Sequence, residues 1–257
     1  MSILHSYIIG DSGKELLILH GFLGMSDNWK SQAKNFVAKA YRVHLIDQRN
    51  HGRSFWSDQF SYSELVMDLY NYIQHHNLKS VILLGHSMGG KTVMNFAAAY
   101  PKIVERIIVA DIAPKYYKPD HQIILEGLSS IDFDIVKTRK TAGIQLKKYI
   151  SDLPVRQFLL KNLFWITPDN LGFRMNLAVL KNCGEQLGAA LDSKAYYSKP
   201  TLFIIGENSN YVKEAIDGEL ILEHFPQSKI IGIPGAAHWL HVEQPKLFFE
   251  KVIRWLS

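Results

Sequence analysis

The sequence predicts an α/β protein with a doubly wound, mostly parallel sheet, interrupted once by a helical insertion. Three observations carry that expectation. Apolar runs of strand length alternate with segments of helical period from Ser6 to Pro114, as they do when strands buried on both faces are joined by crossover helices. The alternation stops across Lys115 to Lys199 and resumes at Pro200. The sharpest strand-to-helix junction, Gly85-His86-Ser87-Met88-Gly89, carries a G-x-S-x-G pattern.

In chain order, Ser6 to Gly10 and Glu15 to His20 read as strands joined by a turn at Asp11-Ser12-Gly13, whose residues favour tight reversals. The second strand ends at His20-Gly21-Phe22-Leu23-Gly24, where an α/β fold places its chemistry. A helix follows with Trp29, Ala33 and Phe36 on one face, then a strand from Tyr41 to Ile46 that runs into the polar loop 47–54. Ser61 to His76 has apolar residues at helical spacing, namely Leu65, Leu69, Tyr72 and Ile73. Val81 to Leu84 is a buried strand, Thr92 to Tyr100 a small-residue helix stopped by Pro101, and Val104 to Ala110 the next strand. Across the insertion only helical patterns are expected, Ile135 to Ile150 and Arg156 to Leu163 among them. The core then closes with a strand at Thr201 to Ile205, a helix near Tyr211 to His224, a strand at Lys229 to Ile233 and a terminal helix at Gln244 to Leu256. Residues 1–114 and 199–257 are thus expected to form one core domain, and residues 115–198 a helical cap.

Composition narrows the functional classes. With 257 residues, 47% hydrophobic and 21% charged, the chain has the balance of a soluble globular protein. No apolar run is long enough to cross a bilayer, and the first ten residues lack the features of a secretion signal. The single cysteine, Cys183, has no internal partner, which points to a reducing, cytoplasmic setting and a packed thiol. The net charge of +5 is scattered, and its densest groups, Lys137 to Lys140 and Lys147-Lys148, lie in a helical stretch as a solvated face. Nucleic acid and stable membrane insertion are therefore not expected as partners, although a modest preference for anionic substrates or surfaces stays open.

The G-x-S-x-G spacing has a steric reason. A nucleophile on a very tight turn needs small neighbours two residues to either side. The turn lifts the Ser87 hydroxyl above the sheet and aims the Met88 amide, at a helix N-terminus, at a developing oxyanion. The alternative, a glycine-rich turn of a nucleotide-binding fold, lacks a Walker lysine or a G-x-G-x-x-G fingerprint here. A serine hydroxyl also needs a base, itself oriented by a third group. His238, in the loop after the last strand, satisfies the chain order serine, acid, histidine. His241 is a competitor one turn on. His20 is expected to shape the oxyanion loop and His86 to support the serine turn.

These stretches resemble the α/β-hydrolase superfamily, and most closely its YbfF-type esterases. The resemblance rests on His20 to Gly24, Asp47 to Ser54, Gly85 to Gly90, Val109 to Pro114, Phe173 to Leu177 and Gly235 to Trp239. It implies an α/β-hydrolase fold with a helical cap, the Phe22 amide as second oxyanion donor, and an acid at Asp111. Many relatives in the superfamily carry the acid in a Gly-x-x-Asp pattern after the strand that is here Thr201 to Ile205. This chain reads Gly206-Glu207-Asn208-Ser209, and serine cannot carry the charge. Glu207 is the alternative acid, and a turn-capping role before Pro114 is the alternative for Asp111. Arg49, His51 and Arg53 either brace the active-site floor or meet an anionic part of the substrate.

The resulting expectation is a serine carboxylesterase for short- to medium-chain acyl esters, acting through an acyl-enzyme without metal or organic cofactor. Ser87, Asp111 and His238 are its expected triad, with His20, His86, Phe173, Arg174 and Trp239 against a small-molecule substrate. An acyl-CoA thioesterase with the same triad is the alternative, favoured by basic cap residues such as Lys137, Lys140, Lys161 and Arg174. A non-catalytic ligand-binding relative is the rival of a different class. A monomer or homodimer is expected.

Overall fold

The computed structural model describes residues 2–257. Seven strands form one sheet: β1 (Ser6–Ile9), β2 (Lys14–Leu19), β3 (Tyr41–Ile46), β4 (Val81–His86), β5 (Val104–Ala110), and, after the insertion, β8 (Thr201–Gly206) and β9 (Ser228–Ile233). Their spatial order is β1-β3-β2-β4-β5-β8-β9. Only β1 runs antiparallel, pairing Ser6 with Ile46 and Ile9 with Val43. So β1 and β2, although joined by a tight turn, are separated in the sheet by β3.

The central strands are apolar on both sides because helices cover both faces. On one face α2 (Tyr62–His75), α3 (Met88–Ala99) and α9 (Glu214–His224) pack Leu69, Ile73, Phe96 and Ile221 onto the sheet. On the other, α1 (Lys30–Val37) and α11 (Pro245–Leu256), which follows the short α10 (Leu240–Glu243), contribute Ala33, Phe36, Phe248 and Val252. Ser61 caps α2 by accepting from the Glu64 amide at 3.2 Å, which supplies an acceptor for a donor the helix leaves free.

Between β5 and β8 lie α4 (Gln122–Ser129), α5 (Arg139–Leu146), α6 (Leu153–Leu160), α7 (Leu177–Leu180) and α8 (Gly184–Gly188). A two-stranded hairpin, β6 (Leu163–Thr167) with β7 (Asn170–Phe173), sits among them. The hairpin corrects the expectation of a wholly helical insertion. Trp165, Ile166 and Thr167 are strand formers, and Pro168-Asp169 makes the reversal instead of interrupting a helix. Helix α6 also starts and stops earlier than the expected Arg156 to Leu163, capped by Asp152 through the Val155 amide at 2.8 Å. Residues 211–213 stay outside α9, leaving Tyr211 on a loop. This segment has its own apolar cluster, centred on Leu128, Leu146, Leu159 and Met175, which continues into Phe22, Leu23 and Met88 of the sheet unit. Buried Cys183 donates to the Leu180 carbonyl at 3.2 Å, and burial pushes its thiol up to about 12.

Candidate active site

Ser87 stands between β4 and α3 with φ +53° and ψ −116°. A side chain rarely adopts that conformation without surrounding structure to enforce it. Its amide is held by the Ala110 carbonyl at 3.0 Å, and its carbonyl accepts from the Lys91 amide at 3.0 Å. A Cβ at Gly85 would strike the Gly89 carbonyl, and one at Gly89 the Leu19 carbonyl. The two glycines therefore permit the turn that the pattern predicts.

His238 lies 127 residues beyond Asp111, yet its Nδ1–H donates to Asp111 Oδ2 at 2.8 Å. Asp111 is fully buried and also has a positive φ, +51°. Its carboxylate accepts from the Gly206 amide at 3.0 Å and from the Ser209 hydroxyl at 2.5 Å. Ser209, at the last position of the Gly206-Glu207-Asn208-Ser209 stretch, thus donates to a carboxylate at the end of the neighbouring strand. Glu207 is exposed, and its amide goes to the Ile233 carbonyl. The ring of Tyr211 stacks on His238 at 3.8 Å and 16°. Sequence periodicity hides this contact, because it assigns Tyr211 to a helix.

The loop after β2 is braced by two buried, neutral imidazoles. His20 Nδ1–H donates to the Gly21 carbonyl at 2.8 Å, while Nε2 accepts from the Gln48 amide at 3.0 Å. His51 Nε2 accepts from the Leu23 amide at 3.2 Å and its Nδ1–H donates to the Arg49 carbonyl at 2.9 Å. Burial lowers His20 and, with help from His20, takes His51 down to about 3. The amides of Phe22 and Met88 have no acceptor among the described residues. Such a pair can stabilise an oxygen carrying developing charge.

Arg49 is committed elsewhere. Its Nε and Nη2 grip Asp68 at 2.6 and 2.9 Å, and Nη1 meets Glu64 at 2.8 Å. Arg53 lies 3.5 Å from Asp27. Neither lines the cleft, and His51 brings its ring nitrogens to backbone groups, so this stretch braces the floor.

The His86 Nε2–H donates to the His238 carbonyl at 2.8 Å, fixing the histidine loop against β4. Burial, reinforced by His238 and His241, lowers His86 well below its ordinary value. His241 stacks flat on Trp29 at 4.0 Å, and burial takes it down to about 3. Among the described residues no carboxylate bonds it, so it lacks the orienting partner that His238 has.

Two cavities meet at Ser87, of about 210 and 170 Å³. They share Phe22, Asp120, His121 and Tyr211. The first is walled by Trp239, Val155, Phe158 and Leu159, the second by Tyr62, Ile112, Tyr117 and Leu187. His20, His86 and Trp239 thus border the cleft as expected, but Phe173 and Arg174 do not. Phe173 packs edge-on against Phe133 at 5.1 Å, and Arg174 lies over the Phe164 ring at 4.4 Å. The hairpin turns both away, a consequence that helical spacing could not predict. Lys137, Lys140 and Lys161 do not line the cleft either. The sequence reading missed His121. It enters from the N-terminus of α4 with Nδ1 3.2 Å from Asp120 and its ring edge-on to Phe22 at 5.2 Å. No sequence motif marks it.

A family model described as "alpha/beta hydrolase fold" matches residues 15–245. A solved structure titled "Marine microorganism esterase" superposes with a TM-score of 0.95 at 40% identity, covering 99% of this chain and 100% of that one. The sn-1-specific diacylglycerol lipase ABHD11 of Mus musculus is 34% identical over 94% of this chain and 80% of its own length. Esterase YbfF of Escherichia coli (strain K12) is 29% identical over 94% of this chain and 92% of its own.

Proposed function

The chain belongs to the alpha/beta hydrolase family as a carboxylic ester hydrolase of the YbfF-like kind, and from that premise we propose that Ser87, His238 and Asp111 are its nucleophile, base and orienting acid. The observation that carries the reading is the 2.8 Å bond from His238 Nδ1–H to the buried Asp111 carboxylate, beside a serine held at positive φ. That bond sets the tautomer, leaving Nε2 free to take the Ser87 proton as Oγ attacks the ester carbonyl. The carbonyl oxygen, now negative, is held by the Phe22 and Met88 amides. The imidazolium returns its proton to the departing alkoxide, and an ester is left on Ser87. Water, deprotonated by His238, then attacks that acyl-enzyme, and its collapse releases the carboxylic acid and restores the serine.

The tetrahedral intermediate costs the chain little reorganisation. Both amides sit on backbone already held by His20, His51 and the first turn of α3, so the donors are in place before the charge appears. Tyr211 covers one face of His238, and its ring favours the transient imidazolium over neutral imidazole.

The two cavities divide the substrate, one for the acyl chain and one for the alcohol. Residues 115–198 act as the cap that walls both, and their apolar side chains suit short- to medium-chain acyl esters. The relatives named as esterase and diacylglycerol lipase agree with acyl esters as the substrate class. Lys137, Lys140, Lys161 and Arg174 line neither cavity, and of the basic residues of the cap only Lys118 borders the second, so the apolar walls favour oxygen esters over coenzyme A thioesters. The test is labelling by a fluorophosphonate, with initial rates on p-nitrophenyl esters of rising acyl length for wild type and Ser87→Ala. Labelling and turnover that both vanish in Ser87→Ala are expected. Turnover that survives the substitution overturns the assignment.

A further inference from the structure

We propose that Lys91 is a positioning residue, a clasp that ties both chain connections of the cap to the helix carrying Ser87. The proposal rests on reading residues 115–198 as the cap over the active site. Lys91 lies one helical turn beyond Ser87, and its side chain is 1% exposed. Its Nζ donates to the Lys115 carbonyl, where the chain enters the cap, at 2.5 Å, and to the Ala189 carbonyl, where the chain leaves it. A buried ammonium is costly without partners, and here both acceptors are backbone groups of the two connections, 74 residues apart in number yet side by side.

The connections are laced to each other as well. The Tyr117 amide donates to the Gly188 carbonyl at 2.8 Å, and the Leu191 amide to the Pro114 carbonyl at 2.9 Å. Gly188 has no side chain because the Tyr117 carbonyl occupies that space. Lys115 Nζ pairs with Asp217 of α9 at 2.8 Å, and the Tyr117 ring lies 5.2 Å from Lys91 Nζ. Tyr117 continues the link toward the base: its hydroxyl donates to the Tyr211 carbonyl at 2.8 Å, and Tyr211 stacks on His238. Helix, cap entry, cap exit and the loop beside the base therefore meet around one amine. Burial, with Lys115 adding to it, takes that amine down to about 7. A neutral amine still has two N–H bonds for two acceptors, so the clasp survives loss of a proton and is not a pH switch.

Without these bonds the cap should sit less closely over the cleft. Its walls matter for long acyl chains and little for an acetyl group. Lys91→Met keeps the volume and removes both donors. It is expected to raise KM for p-nitrophenyl octanoate about tenfold while leaving kcat on p-nitrophenyl acetate within about twofold. Amide exchange should speed up in segments 113–119 and 186–191 and stay slow in β4 and β5. Exchange requires no turnover, so it reports on the clasp even if the esterase assignment fails. Unchanged exchange in both segments overturns the proposal. So does a uniform fall in kcat on both esters with faster exchange throughout β4 and β5, since that marks an ordinary core residue. Should Lys91→Met fail to fold, Lys91→Gln, too short to reach both carbonyls, carries the same readings.

Discussion

Replacing Asp111 by Asn exchanges one carboxylate oxygen for an amide nitrogen at a site where three donors converge. Asp111 Oδ1 accepts from the Gly206 amide at 3.0 Å, and Oδ2 from Ser209 at 2.5 Å and His238 Nδ1 at 2.8 Å. In the variant the side-chain oxygen stays with Gly206 and the NH₂ group takes the place of Oδ2. It satisfies the Ser209 hydroxyl, which can accept, but it forces His238 Nδ1 to accept as well. The proton moves to Nε2, and the base can no longer take the Ser87 proton. The rest of the site is preserved, so the loss falls on kcat. It should reach about 10⁴-fold, or roughly 5.4 kcal/mol of transition-state stabilisation. The assay is the steady-state hydrolysis of p-nitrophenyl butyrate, with thermal melting as a control for the fold and Glu207→Gln as a parallel variant. Asp111→Asn should retain a near wild-type melting temperature and Glu207→Gln near wild-type kcat. A loss under tenfold in Asp111→Asn, or a large loss in Glu207→Gln, would refute the reasoning.

Ser209→Ala removes one donor to Asp111 without changing the tautomer, so its kcat should fall only about tenfold; a loss equal to that of Asp111→Asn would mean that Ser209 contacts the reacting atoms. Acid should weaken the fold through the buried histidines. His51 and His241 are held near 3 by burial, so below the unfolded value of about 6.5 the unfolded chain binds protons that the native state refuses. Their contribution is fully present above about 6.5 and lost as pH falls towards 3, about 2 kcal/mol each by about pH 5. Urea unfolding at pH 7 and 5 measures it, and the His51→Gln variant should show a shallower fall. Gly85→Ala drives a methyl into the Gly89 carbonyl; it should abolish fluorophosphonate labelling of Ser87 or cost more than about 3 kcal/mol of stability, and a stable, fully labelled variant would show that the turn tolerates a side chain.

The alternation of apolar and helical segments was enough to determine the parallel sheet, because strands buried on both faces need no partner information to be recognised. It also determined the serine turn, whose glycine spacing is a purely local steric demand, and the histidine loop, through chain order. The Ser209 substitution in Gly206-Glu207-Asn208-Ser209 could be read as a missing acid, but where the charge goes is a question of which strand ends lie side by side. The neighbouring of β5 and β8 brings Asp111, Gly206 and Ser209 together from positions about a hundred residues apart, which supports the proposed place for the acid at Asp111. The segment over the cleft was the least legible, since its short helices and its hairpin owe their form to packing on one another. Phe173 and Arg174 therefore turned away from the cleft, while His121, Tyr211 and Lys91, carried by no motif, acquired their places from contacts alone. Local sterics and burial can be read along a chain; which distant groups share one low-dielectric space is settled only when the chain closes on itself.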